Sequence, residues 1–250
     1  MLKIRLIPVI AITSFISVPI WGTLLPSQSH AEGKNLWDLE LNKEKTEILQ
    51  NDFKSWMDRK GFESFRYLFF ERDPKHWRIS SCPNHKDFCL VMEDLKSSSH
   101  IIKKLNKPIP LSGHLNLFME FMVEAWPKQT DLGKKNREDA ALRIFLTAHL
   151  DGRNAHLGFA VTIDHEPGQI IPSQRKPEEI KYIALAVSKS EEKVWQRLSL
   201  PIAASFQKAF GSFKKAEIIA VGLKSDGNNT ESDVKVWLRD LKIKQVSSER

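Results

Sequence analysis

Five oxygen-bearing side chains, Glu138, Asp139, Asp226, Asn228 and Asp240, stand in two short stretches of the sequence, REDAALRIF and KSDGNNTESDVKVWLRD. Carboxylates and amides in loops are ligands for a hard cation of loose geometry, so this set would hold a structural calcium if the two stretches met. The spacing does not match a helical calcium loop, because the glycine and the closing glutamate fall at the wrong places. The competing reading is an Asx-rich turn in which Asp226, Gly227 and Asn228 satisfy their own backbone.

A second constellation is aromatic. Trp126, Trp195, Trp237 and Phe145, with Arg143 beside Phe145 in the strand pattern, would offer flat faces for sugar rings and a donor for hydroxyls. The same residues would equally serve as sheet-face packing. Catalytic signatures are weaker. The chain has no nucleophile-elbow serine, no helical histidine pair at metal spacing and no glycine-rich phosphate loop. His149 and His156 would hold a metal if they faced each other across the Asp151-Gly152 turn; the competing and favoured reading is a pair of exposed cross-strand histidines. The only cysteines, Cys82 and Cys89, enclose Pro-Asn-His-Lys-Asp-Phe and predict a disulfide-closed hairpin loop. A catalytic thiol, or half of a metal site with His85, is the weaker alternative, because a six-residue gap is not a usual metal-ligand spacing and no second pair exists.

Elements of period two must position these groups. Leu115, Leu117, Met119, Phe121 and Val123 alternate with Asn116, Glu120 and Glu124, and Leu142, Ile144, Leu146, Ala148 and Leu150 repeat the pattern. Asp151-Gly152 predicts a tight hairpin into 157–164. Further strands are expected over 77–81, 88–93, 100–105, 181–189, 194–200, 218–224 and 233–246. A helical period runs from Asn42 to Gly61, and Ala203 to Gly211 predicts a short crossing helix ended by glycine. These elements specify an all-β fold, a two-sheet antiparallel β-sandwich of jelly-roll type with a short N-terminal helix and a small crossing helix.

Residues 1–31 read as a secretory signal: Lys3 and Arg5, an uncharged run from Leu6 to Leu25, then Ser29 and Ala31 at cleavage spacing. The alternative is an N-terminal membrane anchor. The expected organisation is 1–31 signal, 32–66 N-terminal helical segment, 67–246 sandwich domain and 247–250 tail. Without Lys3 and Arg5 the 38 bases fall to 36 against 31 acids, a net charge of +5. The basic residues are scattered, which argues against a nucleic-acid partner.

Three segments carry a family resemblance: Arg137 to Leu146, Phe206 to Gly211, and Ala220 to Thr230. Their order resembles a bacterial family of exported proteins known only as domain of unknown function three-zero-four-seven. Glu138 stands where the family pattern has the first of two aspartates, and Asn228 where it has a second. The closing segment Val236 to Ile243 is also similar to the last strand of galactose-binding-like jelly rolls. That similarity implies a carbohydrate-binding sandwich that often carries a structural calcium. The sequence is therefore expected to encode an exported, periplasmic or secreted, non-catalytic module that binds a glycan or another envelope component. The alternatives are a glycan hydrolase using carboxylates in a sandwich cleft, or an envelope protein scaffold. No membrane association is expected after signal cleavage.

Overall fold

The computed structural model describes residues 33–39, 41, 53–64, 66–67, 70–71, 74–186 and 193–246. The expected leader, the first part of the predicted N-terminal helix, the end of the predicted strand at 187–189 and the tail lie outside the described residues. In chain order the elements begin with β1 (Gly33–Asp38), α1 (Phe53–Lys60), β2 (Glu63–Ser64), β3 (Arg66–Tyr67), β4 (Phe70–Glu71) and β5 (Arg78–Ser81). The long strands follow: β6 (Phe88–Leu95), β7 (Ser98–Pro110), β8 (Leu115–Ala125), β9 (Ala140–Leu150) and β10 (Arg153–Thr162). The chain continues through β11 (Ile170–Pro172), β12 (Ile180–Ala186), β13 (Gln196–Pro201), α2 (Ile202–Phe210), β14 (Ala216–Asp226) and β15 (Asp233–Val246).

Two sheets pack face to face. The first runs β13-β8-β15-β6-β5, with β1 added along the far part of β15. The second runs β11-β12-β10-β9-β14-β7-β2. Pairing is antiparallel throughout both sheets except between β10 and β12, which run parallel because β12 is inserted between β10 and the edge strand β11. The expected two-sheet sandwich is the observed one. Its core is built by the alternation visible in the sequence: Leu117, Met119 and Phe121 of β8 and Leu142, Ile144 and Leu146 of β9 are all buried. Asp151 and Gly152 both adopt positive φ, as a two-residue hairpin between β9 and β10 requires. α2 caps the sandwich with Phe206 fully buried and ends at Gly211.

Two departures from the sequence reading concern the N-terminal part. Gly33–Asp38 is a strand paired with β15, and Glu63–Ser64 joins the edge of the second sheet, so the segment before residue 67 contributes strands as well as α1. β1 was not legible because GKNLWD has no alternation of its own. Its placement depends on the free flank of β15, where a Cβ on Gly33 would lie 2.3 Å from the Gln245 carbonyl oxygen. Cys82 and Cys89 form the expected disulfide at the β5–β6 connection. Closing a loop this short stabilises by about 2.5 kcal/mol on the chain-entropy account.

Candidate functional site

The segments that precede β9 and follow β14 meet. Asp139 accepts hydrogen bonds from the Thr230 backbone N–H at 2.7 Å, the Thr230 hydroxyl at 2.7 Å and the Asn229 N–H at 3.3 Å. Gly227 makes the turn possible, since a Cβ there would lie 2.1 Å from the Ser232 carbonyl oxygen. On the outer side of the second sheet, Arg143 Nη1 lies 3.1 Å from Asp226 Oδ2, and Lys224 pairs with the same carboxylate. Residues 224 and 226 share a face by strand alternation, and Lys224 sits opposite Arg143 in the β14–β9 register. Arg143 is 1% exposed and Asp226 2%.

The charges of this corner decide its protonation. Burial opposes ionisation of Asp226, but the positive charges of Lys224 and Arg143 outweigh it and hold the carboxyl below its ordinary range. Asp139 is pushed up by burial and then by the negative charge of Asp226, against the hydrogen bonds from Thr230 and Asn229. Two cations therefore already stand where a metal would be needed. Of the five expected metal ligands, Asp139 and Asp226 share the corner. Asn228 lies in its turn, and Glu138 is buried with Oε1 lacking a hydrogen-bond partner among the described residues. Asp240 belongs to β15 in the other sheet, 2.8 Å from Lys242 Nζ. Among the described residues no three histidine, cysteine or acidic side chains converge as a metal site.

The five expected ligand-binding residues do not form one platform either. Arg143 and Phe145 lie on the outer face of the second sheet. There the Arg143 guanidinium sits 5.3 Å above the Tyr182 ring, and Phe145 packs against Tyr182 and His100. This face is covered: Leu132 of the β8–β9 loop, Ala140, Ala160, Ile171 and Ala184 bury it as a second apolar cluster. Gly158 leaves room for it, because a Cβ there would be 2.8 Å from Tyr182. Trp126 packs at the edge of the main core with Nε1 buried and without a hydrogen-bond partner among the described residues. His149 and His156 are not directly opposed; His156 pairs with Thr147 in register and its ring lies 2.9 Å from the Thr147 hydroxyl.

Trp195 and Trp237 lie on the outer face of the first sheet, half-buried, among fixed charges. Trp237 Nε1 donates to Glu124 Oε2 at 2.6 Å, while Lys235 Nζ bonds Glu124 Oε1 at 3.0 Å and lies 5.4 Å from the Trp237 ring centre. Burial opposes the Glu124 charge, but the Trp237 N–H and Lys235 win and hold its carboxyl low. Glu120, directly along the same strand face, is gripped by Arg239 and by Arg197 Nε at 2.9 Å. Arg239 also lies 5.6 Å from the Trp195 ring centre. The disulfide loop completes the group: His85 meets Trp195 edge-on at 5.3 Å, and Trp195 Nε1 donates to the Pro83 carbonyl at 3.4 Å.

Glu120, Glu124, Arg239 and Tyr182 were not singled out from the sequence, and His85 stood out only as a weaker metal partner for the cysteines. For the two glutamates a signal existed, since both fall on the outward phase of β8. Their meeting with Arg239 and His85 had no local signal, because those two residues, 154 apart in the chain, touch each other only in the fold.

Over residues 64–242 the sequence matches the family described as "Protein of unknown function (DUF3047)". No curated protein matches the sequence significantly. Similar solved structures include a family 30 carbohydrate-binding module, at 11% identity and TM-score 0.37, covering 70% of this chain and 76% of that one. A native family 12 xyloglucanase from Bacillus licheniformis aligns at 10% identity and TM-score 0.38, covering 74% and 93%. The xyloglucanase domain of NopAA, a type three effector from Sinorhizobium fredii, solved in complex with cellobiose, aligns at 12% identity and TM-score 0.38, covering 74% and 94%.

Proposed function

The chain belongs to that DUF3047 family, whose description supplies no activity, and from the site itself we propose that it is an exported, non-catalytic β-sandwich that binds a glycan on the outer face of its first sheet. The observation that carries this reading is the pair of half-buried tryptophans, Trp195 and Trp237, each fixed by an N–H hydrogen bond and a neighbouring cation. Rings pre-ordered in this way offer stacking surface with little entropy left to lose, and the glutamates and arginines between them supply hydroxyl partners. A glycosidase would need one carboxyl raised towards neutrality beside an ionised partner. Glu124 is held low and Glu120 is locked by two guanidinium groups, so binding fits this face better than hydrolysis.

Export is part of the same reading, supported by the basic-apolar-small order of residues 1–31 and by the disulfide, a bond favoured outside the reducing cytosol. N-terminal sequencing of the secreted chain is expected to begin at residue 32.

Affinity electrophoresis through gels containing xyloglucan or soluble cellulose, with and without calcium, tests the binding. The expected result is retardation that is lost in Trp195→Ala and Trp237→Ala. Unretarded wild-type protein across a broad glycan panel, or retardation indifferent to both substitutions, would defeat the proposal.

A further inference from the structure

A hollow of about 640 Å³, open to solvent and lined mostly by exposed side chains, lies between the β8–β9 loop and the segment after β11. It is lined by Gly133, Lys134, Lys135, Asn136, Arg137 and Gln174. The loop that forms it is rigidly built. Asp131 N–H bonds the Arg137 carbonyl at 2.7 Å, Lys134 N–H the Asp131 carbonyl and Arg137 N–H the Lys134 carbonyl, both at 2.9 Å. Leu132 anchors the loop, fully buried, with its N–H on His165 Nε2 at 2.9 Å, and Thr130 ties it to Asp164.

The lining side chains divide by what they already hold. Lys134 is bound to Asp131 at 3.0 Å. Lys135 and Arg137 are exposed and have no carboxylate partner among the described residues. Asn136 and Gln174 add amides, each able to donate and accept. Two uncommitted cations call for an anion, and two amides call for groups that both donate and accept, which are hydroxyls. The acids Asp131 and Glu138 beside the cations weaken the local positive field. That disfavours a compact dianion such as phosphate relative to a singly charged ligand.

We propose that this cleft binds an acidic sugar, a uronate residue of an oligosaccharide, with its carboxylate on Lys135 and Arg137 and its hydroxyls on Asn136 and Gln174. The site takes a charged sugar where the tryptophan face takes a ring surface. It extends the glycan reading without depending on Trp195 or Trp237.

Isothermal titration of the whole chain with tetragalacturonate, tetramannuronate, methyl-esterified tetragalacturonate and inorganic phosphate tests it. At least one free uronate is expected to bind, and to weaken about tenfold or more, some 1.4 kcal/mol per decade, in the Lys135→Ala/Arg137→Ala double variant and on esterification. Both changes are on the exposed loop surface, and circular dichroism checks that the variant folds. Failure of both uronates to bind, equal affinity in the double variant, equal affinity for the ester, or phosphate binding as tightly as the uronate would each overturn the proposal. Uronate binding that survives Trp195→Ala and Trp237→Ala while neutral glycans fail would sink the tryptophan face alone. Failure of the wild-type chain to bind either free uronate, while its binding of neutral glycans is intact, would sink the cleft alone.

Discussion

Asp94 and Asp226 are both almost fully buried, yet they are held in opposite ways. Asp94, on β6 of the first sheet, receives Trp77 Nε1 at 3.2 Å, the Ser97 hydroxyl at 3.1 Å, and the hydroxyls of Ser99 and Ser225 from the second sheet. It has four neutral donors and, among the described residues, no cation. Burial raises its pKa, and the hydrogen bonds only partly oppose it. Asp226 has two cations and is held low. The two carboxylates are next-door neighbours in construction. Ser225 pairs with Ser99 and Asp226 with Ser98 across β14 and β7, and one residue's step along the strand carries the chain from the space between the sheets to the outer face. The pair teaches that a buried acid's state follows from whether its donors carry charge, not from burial itself.

The sharpest way to break this contrast is to remove each carboxylate. Asp226→Ala leaves Arg143 and Lys224 facing each other in a buried site and is expected to cost about 3–5 kcal/mol. Asp94→Ala leaves hydroxyls and an indole N–H that can partly rearrange, and is expected to cost about 1–3 kcal/mol. Urea midpoints of the two variants check the order; equal losses would mean that the cations do not set the difference.

The pH dependence separates the two acids by sign. Asp226 binds its proton less tightly folded than unfolded, so its contribution is complete above the unfolded value near 3.8 and is lost as pH falls through its lower folded pKa. Asp94 binds its proton more tightly folded, so stability rises as pH falls from above its raised folded pKa towards 3.8. Asp226→Asn is expected to remove the acid-side loss below 3.8, and Asp94→Asn the gain above it, in thermal melts scanned from pH 3 to 7. The smallest effect belongs to Asp139, the acid that shares the corner with Asp226. Thr230→Val removes one hydroxyl from Asp139 while the Thr230 N–H bond remains, a loss of about 1 kcal/mol.

Legibility in the sequence followed the range of the interaction. The alternation in β8 and β9, the Asp151-Gly152 hairpin, the glycine stop after α2 and the Cys82–Cys89 bridge are local patterns, and all are present. The tryptophan face was half legible. Trp195 and Trp237 stood out by type, but the glutamates, arginines and His85 that fix them arrive from four separate segments. The five residues expected to hold a cation are not all brought together for the same reason: Asp240 was grouped with Asp226 by closeness in sequence, and the turn after β14 sends the two into different sheets.

By itself, the sequence determined that this chain builds a two-sheet sandwich, because period two and turn chemistry act over a few residues and need no knowledge of partners. Only the tertiary structure decided that Asp226 meets Arg143, that Ser225 reaches across to Asp94, and that the candidate ligand residues divide into Arg143 with Phe145 on one sheet and Trp195 with Trp237 on the other. Those outcomes depend on which strands become neighbours. Strand order is set by the cooperative packing of the whole core, not by any stretch of chain short enough to read alone.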